Sequence, residues 1–561
     1  MSETVTPLAE VASPAPGAEP AAGVDAAASG EPAASAERPA VIEPAARPVA
    51  PPSLAARLSE PARALLALAG GAGLACAFAP LSLWPLAVLC PALQMWLWED
   101  ASPRSAARSG FWFGVGTFGL GTWWLYISIH NIGQAPIWLS LGLVVALVAI
   151  MGLYQALLGW LGARFLPRRG AMRWLLGLPG LWVLVEWWRG WFLSGFPWLS
   201  LGYSQTDTVM ASVAPLAGVY GISAVLLAGS GALLALLRTW RGVGSRGAAL
   251  WALALLLLPW GAAALLQRVS WTHPAGPALS VAVLQGAIPE DVKWQEDNIG
   301  KIRDLYTRLE QQALGSRLIV WPEAAIPEYA YEDPQYLAGL YADARMHRSD
   351  IVMGILRADD AGDSYNSIMT FSDNVSFYDK HHLVPFGEYF PVPKFVRAWM
   401  RLRNLPYLDF TPGAAVQPPL HAAGTLLAPS ICYEDAYGSA MLPDLRRGAT
   451  LLVNVTNDSW FGRSWARYQH FQIARMRALE AERPLIRATQ DGISAVVDER
   501  GRVIAEARQF QPEVLRSTVQ PRAGLPPYAR TGNTLVVVLG LLATALAAGM
   551  RLKQSTGTGT A

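Results

Sequence analysis

Charge is scarce in this 561-residue sequence. Only 15% of its residues are Asp, Glu, Lys or Arg, against about a quarter in a soluble domain, which argues against an ordinary cytosolic enzyme. Lysine is scarcer still, at 5 residues against 39 Arg. A formal net charge of +2 gives no basic footprint, so no nucleic-acid partner is expected. Three cysteines build neither a disulfide framework nor a four-cysteine zinc site. The opening residues have no basic start followed by an apolar core, so no secretory signal is expected there. Large apolar side chains are nearly absent up to about residue 52, in a stretch of Ala, Pro, Glu and Ser. Such a segment buries too little surface to offset its ordering entropy, and residues 1–54 read as a disordered tail.

Apolar surface is abundant elsewhere. The sequence is 52% hydrophobic with 23 Trp, and its mean hydropathy is +0.27. Seven apolar runs lie near 62–79, 83–98, 109–128, 137–160, 174–193, 208–237 and 248–266, and an eighth near 534–550. About 20 apolar residues cross ~30 Å of hydrocarbon, so 55–268 reads as seven transmembrane helices and 528–561 as an eighth with a short tail. The first two runs and the last are short for a full crossing. Basic residues alternate between loops. Arg57 and Arg63 precede the first run; Arg104 and Arg108, then Arg164, Arg168, Arg169 and Arg173, then Arg238, Arg241 and Arg246, fill every second connection. Arg551 and Lys553 follow the last run. The positive-inside rule puts both termini in the cytoplasm and residues 269–527 outside it, in the periplasm of a two-membrane bacterium.

Residues 269–527 have a different texture. Short β-branched runs (279–284, 318–321, 351–355, 367–371, 425–431, 450–455, 493–497) alternate with helical patterns at 295–314, 334–347 and 466–482. That is an α/β pattern with a buried sheet. Cys76 and Cys90 fall inside the first two apolar runs, as small packing residues. Cys432 alone falls in the α/β region, directly after one strand run. Glu323 follows another in Trp321-Pro322-Glu323, and Lys380 lies in Tyr378-Asp379-Lys380-His381-His382. Taken singly, each is an ordinary buried thiol, surface acid or loop lysine. Together, at three strand ends, they are the residue types of thiol acyl transfer: a thiolate nucleophile, a carboxylate base and an ammonium for the oxyanion. His381-His382 lacks a third spaced ligand, so no metal is expected, and no cofactor. Glu186 and Arg189 read as an interhelical pair.

Glu323, Lys380 and Cys432 in these contexts resemble the Glu-Lys-Cys triad of the nitrilase superfamily. The flanking motifs are Leu383-Val384-Pro385-Phe386-Gly387-Glu388, Tyr433-Glu434, Asn457-Asp458-Ser459-Trp460-Phe461-Gly462 and Gly195-Phe196-Pro197-Trp198. With the apolar runs, residues 55–553 resemble the apolipoprotein N-acyltransferase family. The resemblance implies a nitrilase-like αββα sandwich carried on a helical membrane bundle. It implies a two-step reaction in which a phospholipid acyl donor forms a thioester on Cys432. The α-amine of a diacylglyceryl apolipoprotein acceptor then takes the acyl chain as an amide. By the same resemblance Glu323 is the base, and Lys380 with the Tyr433 N–H stabilises the oxyanion. Glu388 supports the site, Tyr433 and Glu434 flank the nucleophile, and Trp294 lies near the substrate. Phe395–Arg403, apolar and basic, and Ser194–Tyr203, with Trp198 at interface depth, are expected to border a lipid-facing pocket. Two other readings compete: a membrane-tethered amidase that releases its acyl group to water, and a transporter with a periplasmic binding domain. The latter predicts broken, charged midplane helices that this sequence scarcely shows.

Overall fold

The computed structural model describes residues 53–241, 245–389, 395–396 and 410–556, with side chains through Leu552. The Ala/Pro-rich segment 1–52 and residues 397–403 of the basic apolar segment lie outside the described residues.

Seven helices come first: α1 Glu60–Ala75, α2 Leu86–Leu97, α3 Pro103–Gly121, α4 Ile137–Phe165, α5 Leu178–Arg189, α6 Ala214–Trp240 and α7 Arg246–Leu266. Their starts are written locally. Ser59, Ser102 and Ser245 accept from Ala62, Ser105 and Ala248 N–H, and a proline opens α1 and α3. Close packing within the group depends on small residues. A Cβ on Gly116 of α3 would lie 2.1 Å from the Leu68 carbonyl of α1, so only glycine allows that approach. Among the described residues, four helices are long and apolar enough to cross a membrane: Ile137–Phe165, Val209–Trp240, Arg246–Leu266 and Thr534–Leu552. The outer face of α7 carries Leu250, Trp251 and Leu258, each more than two-thirds exposed. Such a surface suits hydrocarbon and not water.

The described residues then form fourteen strands. Those of one six-stranded sheet are β2 Leu279–Gln285, β3 Leu318–Val320, β4 Asp350–Ala358, β5 Ser364–Phe371, β6 Val375–Asp379 and β13 Glu513–Val519. Those of the other are β7 Leu420–Ala422, β8 Thr425–Ile431, β9 Leu451–Thr456, β10 Leu485–Thr489, β11 Ala495–Val497 and β12 Val503–Glu506. The orders are β13-β2-β3-β4-β5-β6 and β12-β11-β10-β9-β8-β7. A two-stranded pair, β1 His273–Pro274 with β14 Arg522–Ala523, ties the two ends of the domain together. The central strands β2-β3-β4 and β8-β9-β10 run parallel.

Three cores give the layers. Val281, Val283, Val320 and Val352 of the first sheet pack on Leu427, Val453, Val455 and Ile486 of the second. The other face of the first sheet is covered by helices Ile299–Ala313 and Pro334–Met346. The other face of the second is covered by Leu442–Arg446 and Ala466–Ala481. The result is an αββα sandwich.

Helix Ala466–Ala481 has a second face. Ile473, Met476 and Leu479 join the core of the α1–α7 group, and its polar side chains are matched there. Gln469 Oε1 accepts from the Trp198 indole at 2.7 Å and the Trp124 indole at 3.2 Å, and its Nε2 donates to the Gly121 carbonyl at 3.1 Å. Gln472 accepts from Ala79 N–H at 3.2 Å, and Glu480 from Val219 N–H at 2.8 Å. These partners sit in the α1–α2, α3–α4 and α5–α6 connections and at the start of α6. One end of the helical group therefore seats the sandwich. Its other end carries the arginine-rich connections.

Candidate active site

Parallel strands direct their carboxyl ends to one edge, where α/β sheets build sites. The edge here is shared by both sheets. Glu323 lies just past β3, Lys380 directly after β6, and Cys432 directly after β8. Asn366, near the start of the antiparallel β5, arrives at the same edge. Glycine at 354 in β4 is required: a Cβ there would lie 2.3 Å from the Pro322 carbonyl and 2.6 Å from Glu323 Cα.

Lys380 is fully buried, with Nζ 2.8 Å from Glu388 Oε1 and 3.4 Å from Glu323 Oε1. Burial alone disfavours the ammonium. The Glu388 and Glu323 carboxylates outweigh it and hold the group well above the usual lysine range. Asn366 Nδ2 donates to Glu323 Oε1 at 2.7 Å and to Glu388 Oε1 at 3.0 Å. Glu388 Oε2 is occupied by the Val384 N–H at 2.8 Å. Glu323 Oε2 is buried and has no partner among the described residues. A buried carboxylate oxygen left open beside a thiol is an acceptor awaiting a proton.

Cys432 opens a 3-10 turn, Cys432–Ala436, at φ +52°, a left-handed conformation that non-glycine residues rarely hold and that costs ~1–3 kcal/mol. Burial and Glu323 push its thiol up, while Lys380 and a hydrogen bond with Thr456 draw it back. At rest the sulfur is a thiol, and the groups that would ionise it surround it. Glu434 fastens the Lys380 loop to this turn. Its carboxylate accepts from Ile431 N–H at 2.8 Å, His381 N–H at 2.8 Å, His382 N–H at 3.1 Å and Tyr378 O–H at 3.0 Å. His381 Nδ1 lies 2.7 Å from the Gly413 carbonyl, and His382 stacks on Tyr437 with centroids 4.2 Å apart.

Beneath Cys432 lies a buried charge network that the sequence did not announce. His470 Nδ1 is 2.8 Å from Asp458 Oδ1, and its Nε2 is 3.1 Å from Asp435 Oδ1 and 3.3 Å from the Cys432 carbonyl. Arg487, inside β10, bonds Asp435 at 3.0 Å and Asp458 at 3.2 Å. Burial opposes the imidazolium, but Asp435 and Asp458 raise it to about 9. Arg487 and His470 in turn hold the Asp458 carboxyl well below its usual range, against the cost of burial. Lys293 was missed as well. It is fully buried, with Nζ 3.3 Å from the Glu323 carbonyl.

The remaining sequence candidates are placed differently from one another. Trp198 is buried, stacked 6.3 Å from Tyr433, and tied to Gln469. The sandwich covers it, which the local sequence does not reveal. The strained turn before it borders the site instead. Leu193 and Ser194 have φ of +53° and +72°. Ser194 Oγ meets Tyr389 O–H at 2.7 Å, and the Ser194 carbonyl accepts from Tyr437 O–H at 2.6 Å. Leu193 is 82% exposed and Phe386 56%, and Phe395 is exposed as well. Glu186 and Arg189 are not the interhelical pair expected: both lie in the last turn of α5, three residues and 4.0 Å apart, and they hold this connection, where Glu186 accepts from Leu201 N–H and Arg189 donates to the Trp198 carbonyl. Trp294 is half-exposed and bonds Glu290 at 2.7 Å, one residue from Lys293.

The sandwich and its edge define a class: a carbon-nitrogen hydrolase domain carried on apolar helices. Residues 280–524 match the carbon-nitrogen hydrolase family, and residues 70–232 match the apolipoprotein N-acyltransferase N-terminal domain. An apolipoprotein N-acyltransferase of Methylococcus capsulatus is 42% identical over 472 residues, covering 84% of this chain and 92% of its own. One from Nitrosomonas europaea is 41% identical over 493 residues, covering 86% and 96%. A solved carbon-nitrogen hydrolase from Helicobacter pylori G27 aligns with 43% of this chain and 89% of its own, at 17% identity and a TM-score of 0.33. The chain belongs to the apolipoprotein N-acyltransferase family. It is a membrane-embedded acyltransferase.

Proposed function

We propose that the chain moves a fatty acyl group from a membrane phospholipid to the α-amine of a diacylglyceryl-cysteine at the start of a lipoprotein, through a thioester on Cys432. The observation that carries this reading is the open, buried Glu323 Oε2 at the strand edge where Glu323 and Lys380 both act on the Cys432 thiol. In the first step Glu323 takes the thiol proton as Sγ attacks the ester carbonyl. Lys380 and the Tyr433 N–H receive the charge on the carbonyl oxygen. The C–O bond breaks, the lysophospholipid oxygen takes the proton back from Glu323, and the thioester remains. In the second step the acceptor amine attacks the thioester, gives a proton to Glu323, and displaces the sulfur, which is reprotonated. Ester, thioester and amide need no nucleotide. Both substrates share the enzyme's bilayer, which raises their effective concentration.

The placement that suits this chemistry has eight crossings, both termini in the cytoplasm and the sandwich at the outer face. In this reading 1–54 is a cytoplasmic tail, 55–268 the bundle, 269–527 the catalytic domain, and 528–561 the last span with its tail. Two features support it. The connections that seat the sandwich are poor in basic residues, and those at the opposite end hold Arg104, Arg108, Arg164, Arg168, Arg169, Arg238, Arg241 and Arg246. The exposed apolar side chains of Leu193, Phe386 and Phe395 suit contact with lipid acyl chains. The test is direct. Purified protein in detergent, incubated with phospholipid and quenched, should carry a hydroxylamine-sensitive acyl adduct on Cys432 by mass spectrometry. Acyl transfer that persists in Cys432→Ala would refute the reading. A phosphatase reporter fused after residue 300 should be active, and an inactive one would reverse the topology.

A further inference from the structure

The peptide that follows the proposed nucleophile is held from below. The two neighbours of His470 Nε2, the Cys432 carbonyl oxygen at 3.3 Å and Asp435 Oδ1 at 3.1 Å, are both acceptors, so Nε2 carries a proton. Nδ1 is fixed 2.8 Å from Asp458 Oδ1, and Arg487 Nη2 lies 2.9 Å from the same nitrogen. The ring packs against Trp198 and Phe461 at centroid distances of 5.6 and 5.7 Å. Asp435, Asp458 and Arg487 are themselves locked together and buried. The imidazole thus has one well-defined place.

The Cys432 carbonyl and the Tyr433 N–H belong to the same peptide group. That group is planar and trans, so its C=O and N–H point to opposite edges. Holding the carbonyl down on His470 turns the Tyr433 N–H up. This N–H lies in the first turn of the 3-10 helix Cys432–Ala436, where amides have no intrahelical acceptor. The backbone here also needs holding, because Cys432 sits at φ +52°. We propose that His470 is a positioning residue for acyl transfer: by anchoring the Cys432 carbonyl it aims the Tyr433 N–H at the oxyanion. This deepens the proposed function and rests on Cys432 as nucleophile. His470 acts through the backbone and needs no contact with substrate.

The test separates reach from bulk. In His470→Gln the amide nitrogen replaces Nε2 and keeps a donor on the carbonyl. In His470→Asn it replaces Nδ1, stays near Asp458, and leaves the carbonyl without a donor. Two rates are measured on the full chain in detergent: single-turnover acylation of Cys432 by phospholipid, and alkylation of Cys432 by iodoacetamide, which develops no oxyanion. Loss of one oxyanion donor slows acyl transfer by about 10²–10³-fold. His470→Asn should therefore acylate roughly 10²-fold slower, while His470→Gln stays within about tenfold of the unaltered chain. Alkylation should change by less than about threefold in both. A His470→Gln chain that folds but acylates as slowly as His470→Asn is expected to would overturn the proposal, whether or not the Asn variant folds. So would an unimpaired His470→Asn, or alkylation that falls in step with acylation, since the sulfur itself would then have moved. Acylation surviving in Cys432→Ala would refute the proposed function on which the clamp rests, an outcome distinct from those of the His470 variants.

Discussion

Replacing Lys380 by Met separates chemistry from charge balance. Lys380 Nζ is the cation at 2.8 Å from Glu388 and 3.4 Å from Glu323. Without it two buried carboxylates face each other across the Asn366 amide, and repulsion makes one of them take up a proton. Breaking a buried pair by removing one partner costs about 3–5 kcal/mol, so the unfolding transition of Lys380→Met should drop by that order. Its chemistry should fall further. One oxyanion donor is worth ~10²–10³ in rate, and the thiol also loses the charge that favours its ionisation. Thioester formation should slow at least ~10³-fold. The decisive variant is Lys380→Met with Glu388→Gln. It restores one carboxylate in a neutral surrounding, so stability should return while acylation stays lost. The assay pairs a detergent unfolding curve with single-turnover mass analysis of Cys432. If acylation recovers along with stability in the double variant, Lys380 is a counter-ion only and its assigned role at the oxyanion is wrong.

Three further outcomes are expected. His470 is raised from 6.5 to about 9, so its contribution is full below pH ~6.5 and is lost as pH rises through about 9. By linkage this is on the order of 3 kcal/mol, and the excess fall in thermal stability between pH 7 and 9.5 should vanish in His470→Gln; an identical pH curve would contradict it. Glu434→Gln keeps one acceptor oxygen, so its amide N–H groups must face either the Ile431 N–H or the His381 and His382 N–H groups. It should release the Lys380 loop and slow acylation at least ~10-fold, at ~1–3 kcal/mol for each group left unpaired. Gln469→Leu strands the Trp198 and Trp124 indoles and the Gly121 carbonyl. At about 1–3 kcal/mol each, it should lower the unfolding midpoint more than Gln312→Leu at the exposed end of helix Ile299–Ala313, and equal midpoints would show that the seat carries no weight.

Some of this was legible along the chain because its causes are local. Apolar runs reveal themselves through composition alone. The β8 run, Thr425–Ile431, is mainly apolar, and Cys432 directly after it needed no partner to be noticed. Strand β10 was not legible, because Arg487 interrupts Leu485–Thr489 and polar residues in a buried strand look like loop until their partners are known. Helix Ala466–Ala481 read as helical, but its burial on two sides did not, since Gln469, Gln472, Arg477 and Glu480 resemble a solvated face. The burial of Trp198 was not legible either, since an aromatic residue in a loop beside an apolar helix gives no sign of what will cover it.

By itself, then, the sequence determined which segments are apolar, where many of the strand runs lie, and where a carboxylate, an amine and a thiol follow such runs, since hydropathy, propensity and acid-base character belong to single residues and short windows. Only the tertiary structure decided that β3, β6 and β8, from two sheets, end at one edge, that Glu323 keeps one oxygen open, and that His470 lies under Cys432. Those facts depend on pairs 38 to more than 100 residues apart, and no local energy term records such distances until the chain has closed them.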